Sequence, residues 1–181
     1  MTAVHFADRL LEAIERKRSH VVVGLDPDAG SLPPALRARH GLGGGENDPA
    51  ALAAAYREFL STILEVLREE VAAVKIQIAY FEALGSAGYA LYEDMVGLAG
   101  EMGHLVMADV KRGDIGSTAE AYARAHLDRA GADAVTLNPY FGTDGLEPFF
   151  RRVTEKGKGV FILVKTSNPS SAELQDLRLE S

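Results

Sequence analysis

Along this chain the spacing of apolar residues switches between two periods. Residues 5 to 17 place Phe6, Leu10, Ala13 and Ile14 on one face at helical spacing, with basic residues gathered at the C-terminal end where the helix dipole favours them. Val21 to Asp26 is a short apolar run stopped by Pro27, the form of a buried strand. Residues 27 to 48 hold Pro27, Pro33, Pro34 and the run Gly41-Leu-Gly-Gly-Gly45, which predicts a long connection with one short helical turn near Leu32 to Arg39. Asp48 followed by Pro49 is an N-cap with proline at the first helical position, opening a helix to about Glu70. Ala73 to Ile78 is the next strand, a turn-rich stretch covers Tyr80 to Gly88, and a helix spans Tyr89 to Met102.

His104 to Val110 is a third strand, and Ser117-Thr-Ala-Glu120 has the spacing of a capping box that opens a helix to about Ala130. Ala132 to Asn138, ended by Pro139, and Gly159 to Thr166 are the fourth and fifth strands, with a helix at Leu146 to Lys156 between them and a polar tail from Ser167. Strands alternating with helices are the form of repeated parallel strand–helix units, whose functional loops lie at the C-terminal ends of the strands.

Those ends carry the chemistry. They bear Asp26, Lys75, Asp109 with Lys111, Asn138, and Thr166 to Asn168, while the opposite ends are plain. Because side chains alternate faces, Leu105, Met107, Asp109 and Lys111 share one face of the third strand, and Lys75 and Gln77 share one face of the second. Charges on such apolar strands are costly unless they pair or react, and a structural salt bridge would meet that cost as well as a site would. The recurrence of polar groups at the same end of successive strands is what a site explains. Asp114 falls in the loop after the third strand.

Composition narrows the chemistry. With 47% hydrophobic and 25% charged residues among 181, the chain has an ordinary globular make-up and enough length for one sizeable core. No segment approaches the roughly 20 apolar residues of a spanning helix, and residues 1 to 17 lack a signal-peptide core, so the expected compartment is the cytoplasm. Without cysteine there is no disulfide framework, thiolate zinc site or cysteine nucleophile, and the five histidines are scattered. A net charge of −7 argues against nucleic-acid or membrane-surface partners. The Gly41 to Gly45 run lacks the order of a phosphate loop and reads as a flexible surface loop.

Asp109-Val-Lys-Arg-Gly-Asp114 resembles the Asp-x-Lys-x-x-Asp mark of orotidine 5′-monophosphate decarboxylases. The resemblance extends, in order, through Val23-Gly-Leu-Asp-Pro27, Val74-Lys-Ile-Gln77 with Phe81-Glu-Ala, Lys111-Arg-Gly-Asp-Ile-Gly-Ser-Thr118, Asn138-Pro-Tyr140 and Lys165-Thr-Ser-Asn-Pro169, and is similar to the actinobacterial-type subgroup. It implies a (β/α)8 TIM barrel of which residues 1–181, a single domain, contain about the first five strands. It also implies conversion of orotidine 5′-monophosphate to uridine 5′-monophosphate in pyrimidine biosynthesis, with no metal and no organic cofactor. By position, Lys111 would protonate the ring carbon as carbon dioxide leaves, Asp109 would face the substrate carboxylate, and Lys75 would bridge ribose and charge network. Asp26 would bind a ribose hydroxyl and Ser167 the pyrimidine edge, with Asn138 and Thr166 as further substrate-binding positions. Asp114 would reach the neighbouring site of a homodimer.

The chain departs from that pattern by ending after the fifth strand, before the family's phosphate-binding arginine and loop. A full barrel takes about 250 residues, so the expectation is a longer chain, truncated or disordered beyond residue 181, in preference to a natural half-barrel. Two other readings stand beside the decarboxylase: a Mg²⁺-dependent sugar-phosphate lyase or synthase of the same superfamily, and a non-catalytic binding module.

Overall fold

A computed structural model describes residues 3–43 and 47–178. Positions 44 and 45 of the expected glycine-rich loop, the first two residues of the amino-terminal stretch, and the last three of the polar tail lie outside the described residues. Helix α1 (Phe6–Lys17) is capped by His5, whose Nδ1 accepts the Ala7 N–H at 3.3 Å, and it closes on Arg18 in the left-handed region at φ 52°. Strand β1 (Val22–Leu25) follows, then the short α2 (Pro34–Arg39) and the long α3 (Pro49–Leu67), whose Asp48 cap accepts the Ala51 N–H at 3.0 Å as expected.

Strand β2 (Ala73–Gln77) leads into α4 (Ala79–Glu82) and α5 (Gly85–Glu101), so the stretch expected to be turn-rich is mostly helical. One of its glycines serves a bend and another serves packing. Gly85, at φ 63°, makes the bend between the two helices, and a Cβ on Gly88 would stand 1.8 Å from the Phe81 carbonyl oxygen.

Strand β3 (Leu105–Arg112) precedes α6 (Gly116–Ala123), which runs on as a π-helical turn at Arg124–Arg129. The expected capping box does not form. The Ile115 carbonyl accepts the Thr118 and Ala119 N–H groups, and Glu120 is drawn away to Arg151 and Arg152 at 2.5 to 2.8 Å. Strand β4 (Ala134–Leu137), α7 (Thr143–Lys156), β5 (Gly159–Ile162) and α8 (Ala172–Gln175) complete the fold. Strand β5 stops four residues short of the expected Thr166, because its partner β4 ends ahead of Pro139 and the ladder has nothing further to bond.

The sheet is parallel throughout, in the order β1-β2-β3-β4-β5. Sequential order without reversal is that of a (β/α)8 barrel and not of a doubly wound sheet. The outer face, with Val74, Ile76, Val106, Ala108, Val135 and Leu137, packs under the helices in the main core. The inner face carries a smaller apolar layer of Ala73, Met107 and Ala134, closed from below by Phe6 and Leu10 of α1. Arg9 latches this plug, binding Asp133 at 2.6 Å. The next layer along the inner face, one step toward the C-terminal ends, is polar.

Candidate active site

That polar layer is centred on Asp109. The β2–β3 register sets Lys75 beside Met107 and Gln77 beside Asp109, so alternation along both strands directs these side chains to one face. Asp109 is only 6% exposed. Its Oδ1 accepts the Lys111 ammonium at 2.5 Å and the Thr136 hydroxyl at 2.8 Å, and its Oδ2 accepts Lys75 at 3.2 Å and Gln77 Nε2 at 2.9 Å. Two donors on each oxygen fill the acceptor capacity of a carboxylate, so the group is held as an anion in one orientation. Burial would raise its pKa, but the hydrogen bonds from Lys111 and Thr136, with the charges of Lys111 and Lys75, outweigh that and hold it below the ordinary aspartate value.

The cluster extends from Asp109 through Lys75 to Asp26, whose Oδ1 lies 3.4 Å from Lys75 Nζ. Asp26, Lys75, Asp109 and Lys111 thus form one line of alternating charge, from a buried carboxylate out to partly exposed groups. Both ammonium groups keep donors free: the Lys75 side chain is 31% exposed and that of Lys111 48%. An anion entering over this rim would meet two cations whose positions are already fixed.

Lys111 has an unusual backbone. It lies at φ 44°, where a residue with a Cβ is uncommon. The β3–β4 register breaks here, Ala108 pairing with Val135 but Arg112 with Leu137, so residues 109 to 111 of β3 face Thr136 alone. The bulge opens into the Gly113 turn, where a Cβ would come within 2.8 Å of the Asn138 carbonyl oxygen.

Other expected site residues stand apart from the charged line. Asp114 does not flank Lys111: its Oδ1 accepts the adjacent Ile115 N–H at 2.8 Å, and among the described residues it makes no ion pair. An aspartate two residues beyond the end of β3 is turned away by the Gly113 bend. Asn138 accepts the Tyr140 N–H at 3.0 Å, and Thr166 bonds Gln175 and Asn168. Asn138 and Thr166 share a cavity of about 240 Å³ with Tyr140, Val164 and Leu174, whose lining includes none of the four charged residues. Ser167 is exposed in the same segment. Among the described residues no group of three or more His, Asp or Glu side chains is placed to hold a metal ion.

A chain with this geometry has relatives. Residues 19–181 match the model of the orotidine 5′-phosphate decarboxylase / HUMPS family. The chain belongs to that family. It is 42% identical to orotidine 5′-phosphate decarboxylase of Rhodopirellula baltica and 43% identical to that of the actinobacterium Salinispora arenicola, covering 97% and 96% of this chain and 59% of each relative. Among solved structures, OMP decarboxylase of Leishmania donovani superposes with a TM-score of 0.76 at 35% identity, over 99% of this chain and 60% of that one. The UMP synthase of the same organism gives 0.78 at 35% identity, over 98% of this chain and 34% of that one. The chain spans about three-fifths of the length of the curated relatives it matches. Family membership was legible in the sequence motifs. Thr136 was missed as a site residue; the available signal was its place two residues after Ala134 on the inward face of β4, in register with the strand bearing Asp109.

Proposed function

We propose that this chain carries the lysine–carboxylate part of a site that decarboxylates orotidine 5′-monophosphate to uridine 5′-monophosphate in pyrimidine biosynthesis, without metal or organic cofactor. The observation that supports this most is the buried Asp109 carboxylate, filled by four donors of which two are lysines facing the strand-end rim. The carbon–carbon bond to the carboxylate breaks, carbon dioxide leaves, and the electron pair stays on ring carbon 6. That carbanion has no electron sink, so stabilisation must come from a cation placed beside it and be stronger in the transition state than in the substrate. Lys111 supplies the cation and then the proton, and solvent reprotonates it. Asp109 keeps Lys111 charged and in place, and being anionic it has no proton to share with a substrate carboxylate brought beside it.

In this reading Asp26 and Lys75 hold the ribose hydroxyls, and Asn138, Thr166 and Ser167 line the base side. Asp114, free of Lys111 in its own chain, serves the neighbouring subunit of a homodimer. The enzyme works in the cytoplasm; among the described residues no helix is long and apolar enough to cross a membrane.

The test follows the loss of orotidine monophosphate absorbance by the purified protein with a chelator present. Turnover that survives the chelator supports the reading, and turnover abolished by it moves the protein to the metal-dependent lyases. Mixed dimers of Asp114→Asn and Lys111→Ala subunits regain part of the activity if Asp114 acts across the interface.

A further inference from the structure

The bulge in β3 poses a hydrogen-bonding problem that a single side chain solves. Three residues, 109 to 111, oppose one residue of β4, which leaves extra backbone N–H groups without a carbonyl opposite. Thr136 Oγ1 accepts the Val110 N–H at 3.0 Å and the Lys111 N–H at 2.9 Å, and its own hydrogen goes to Asp109 Oδ1 at 2.8 Å. A hydroxyl has one proton and two lone pairs, so its capacity is filled and its hydrogen can point only at the carboxylate. The same oxygen therefore contacts the backbone of the proton donor assigned above and the side chain that fixes that donor's ammonium.

We propose that Thr136 is a positioning residue for the decarboxylation: it holds the bulge that gives Lys111 its left-handed backbone and, through the same hydroxyl, orients the Asp109 carboxylate against the Lys111 ammonium. The proposal rests on the role assigned to Lys111 in the proposed function. Thr136 touches no reacting atom. A methyl in place of the hydroxyl would fit the space but leave two N–H groups without their acceptor and remove one of the four donors from Asp109.

Thr136→Val, Thr136→Ser and wild type are compared by kinetics and by NMR. The valine variant is expected to lose about 10- to 100-fold in kcat with KM within about threefold, since the cost falls on positioning and not on substrate contact. Its Val110 and Lys111 amides exchange faster with solvent, its Asp109 carboxyl titrates at higher pH, and Thr136→Ser restores all three. Unchanged exchange, titration and kcat in Thr136→Val overturn the proposal. So does equal damage in Thr136→Ser, which would assign the effect to the lost methyl. If Thr136→Val does not fold, Thr136→Ala replaces it in the same comparison. Should the wild type not turn over orotidine monophosphate, the functional reading fails by itself, while amide exchange and carboxyl titration still decide whether Thr136 holds the bulge and the carboxylate.

Discussion

Two ion clusters of similar size stand on opposite sides of this sheet, and they are built on different terms. On the helical side Arg152, 9% exposed, joins Glu120 of α6 at 2.5 Å and Asp128 of the π-helical turn at 2.8 Å, while Arg151 and Lys156 take up the same carboxylates. Its guanidinium also donates to the Pro148 carbonyl, so the buried cation is enclosed by acceptors. On the inner side the buried member is the anion, Asp109, and the cations around it extend to the rim with donors to spare. The helical cluster spans α6, the π-helical turn and α7 and involves no break in strand register. The inner one stands on a register break and a left-handed lysine. A closed network ties elements together; an open one, held in a costly backbone conformation, presents charge to something that arrives.

Substitution separates the two. Lys111→Ala should lower kcat by about 10²- to 10⁴-fold, the range for a lost general acid, while thermal unfolding moves little, because Asp109 keeps Lys75, Gln77 and Thr136. Large destabilisation with retained turnover would reverse the assignment of the two clusters.

Acid should also distinguish the two sides. His126, buried against Tyr92 and stacked on Tyr122, is held by burial, with a smaller effect of Arg112, at a pKa of about 4 against an ordinary 6.5. Its folded value is depressed, so the unfolded chain binds the proton first, and stability falls as pH drops from 6.5 toward 4 by about 3 kcal/mol. Asp109 behaves otherwise: its contribution is complete above the ordinary aspartate value of 3.8 and is lost only as pH falls through its lower folded value. Hydrogen exchange between pH 6.5 and 4 should therefore show the π-helical turn losing protection before β3. Simultaneous loss would mean that the two sides are not independent.

Arg152→Met should cost about 2 kcal/mol of stability, reduced from the full penalty of a broken buried pair because Arg151 and Lys156 still neutralise the carboxylates. Turnover per folded molecule should not change, as denaturation midpoints and kinetics on one preparation will show. The smallest effect is expected from Gln77→Leu, which removes one neutral donor from Asp109 and should lower kcat by about tenfold. A loss as large as that of Lys111→Ala would place Gln77 in the chemistry itself.

The strands, their parallel arrangement and the rim bearing Asp26, Lys75, Asp109 and Lys111 were legible from period-two alternation and from prolines at strand ends. Misreadings came where a local signal had a nonlocal competitor. Gly88 looks like a turn residue until Phe81 is seen against it, and Glu120 fits a capping box until Arg152 claims it. Asp114 stands where the sequence puts it, in the loop after β3, and the structure adds that its carboxylate accepts the Ile115 N–H after the bend at Gly113.

Short-range order was thus settled by the sequence alone: which residues alternate on each strand, where Pro27 and Pro139 stop the ladders, and that lysines and carboxylates gather at one end of a parallel sheet. Side-chain direction along a strand depends only on parity, and a proline stops a ladder wherever it stands. The site's inner arrangement was decided by tertiary structure. That Asp109 takes two donors on each oxygen, that β3 bulges by residues 109 to 111, and that Thr136 meets both needs with one hydroxyl depend on the register between strands some 25 residues apart. Register is set by how whole faces pack, and no local pattern in either strand contains it.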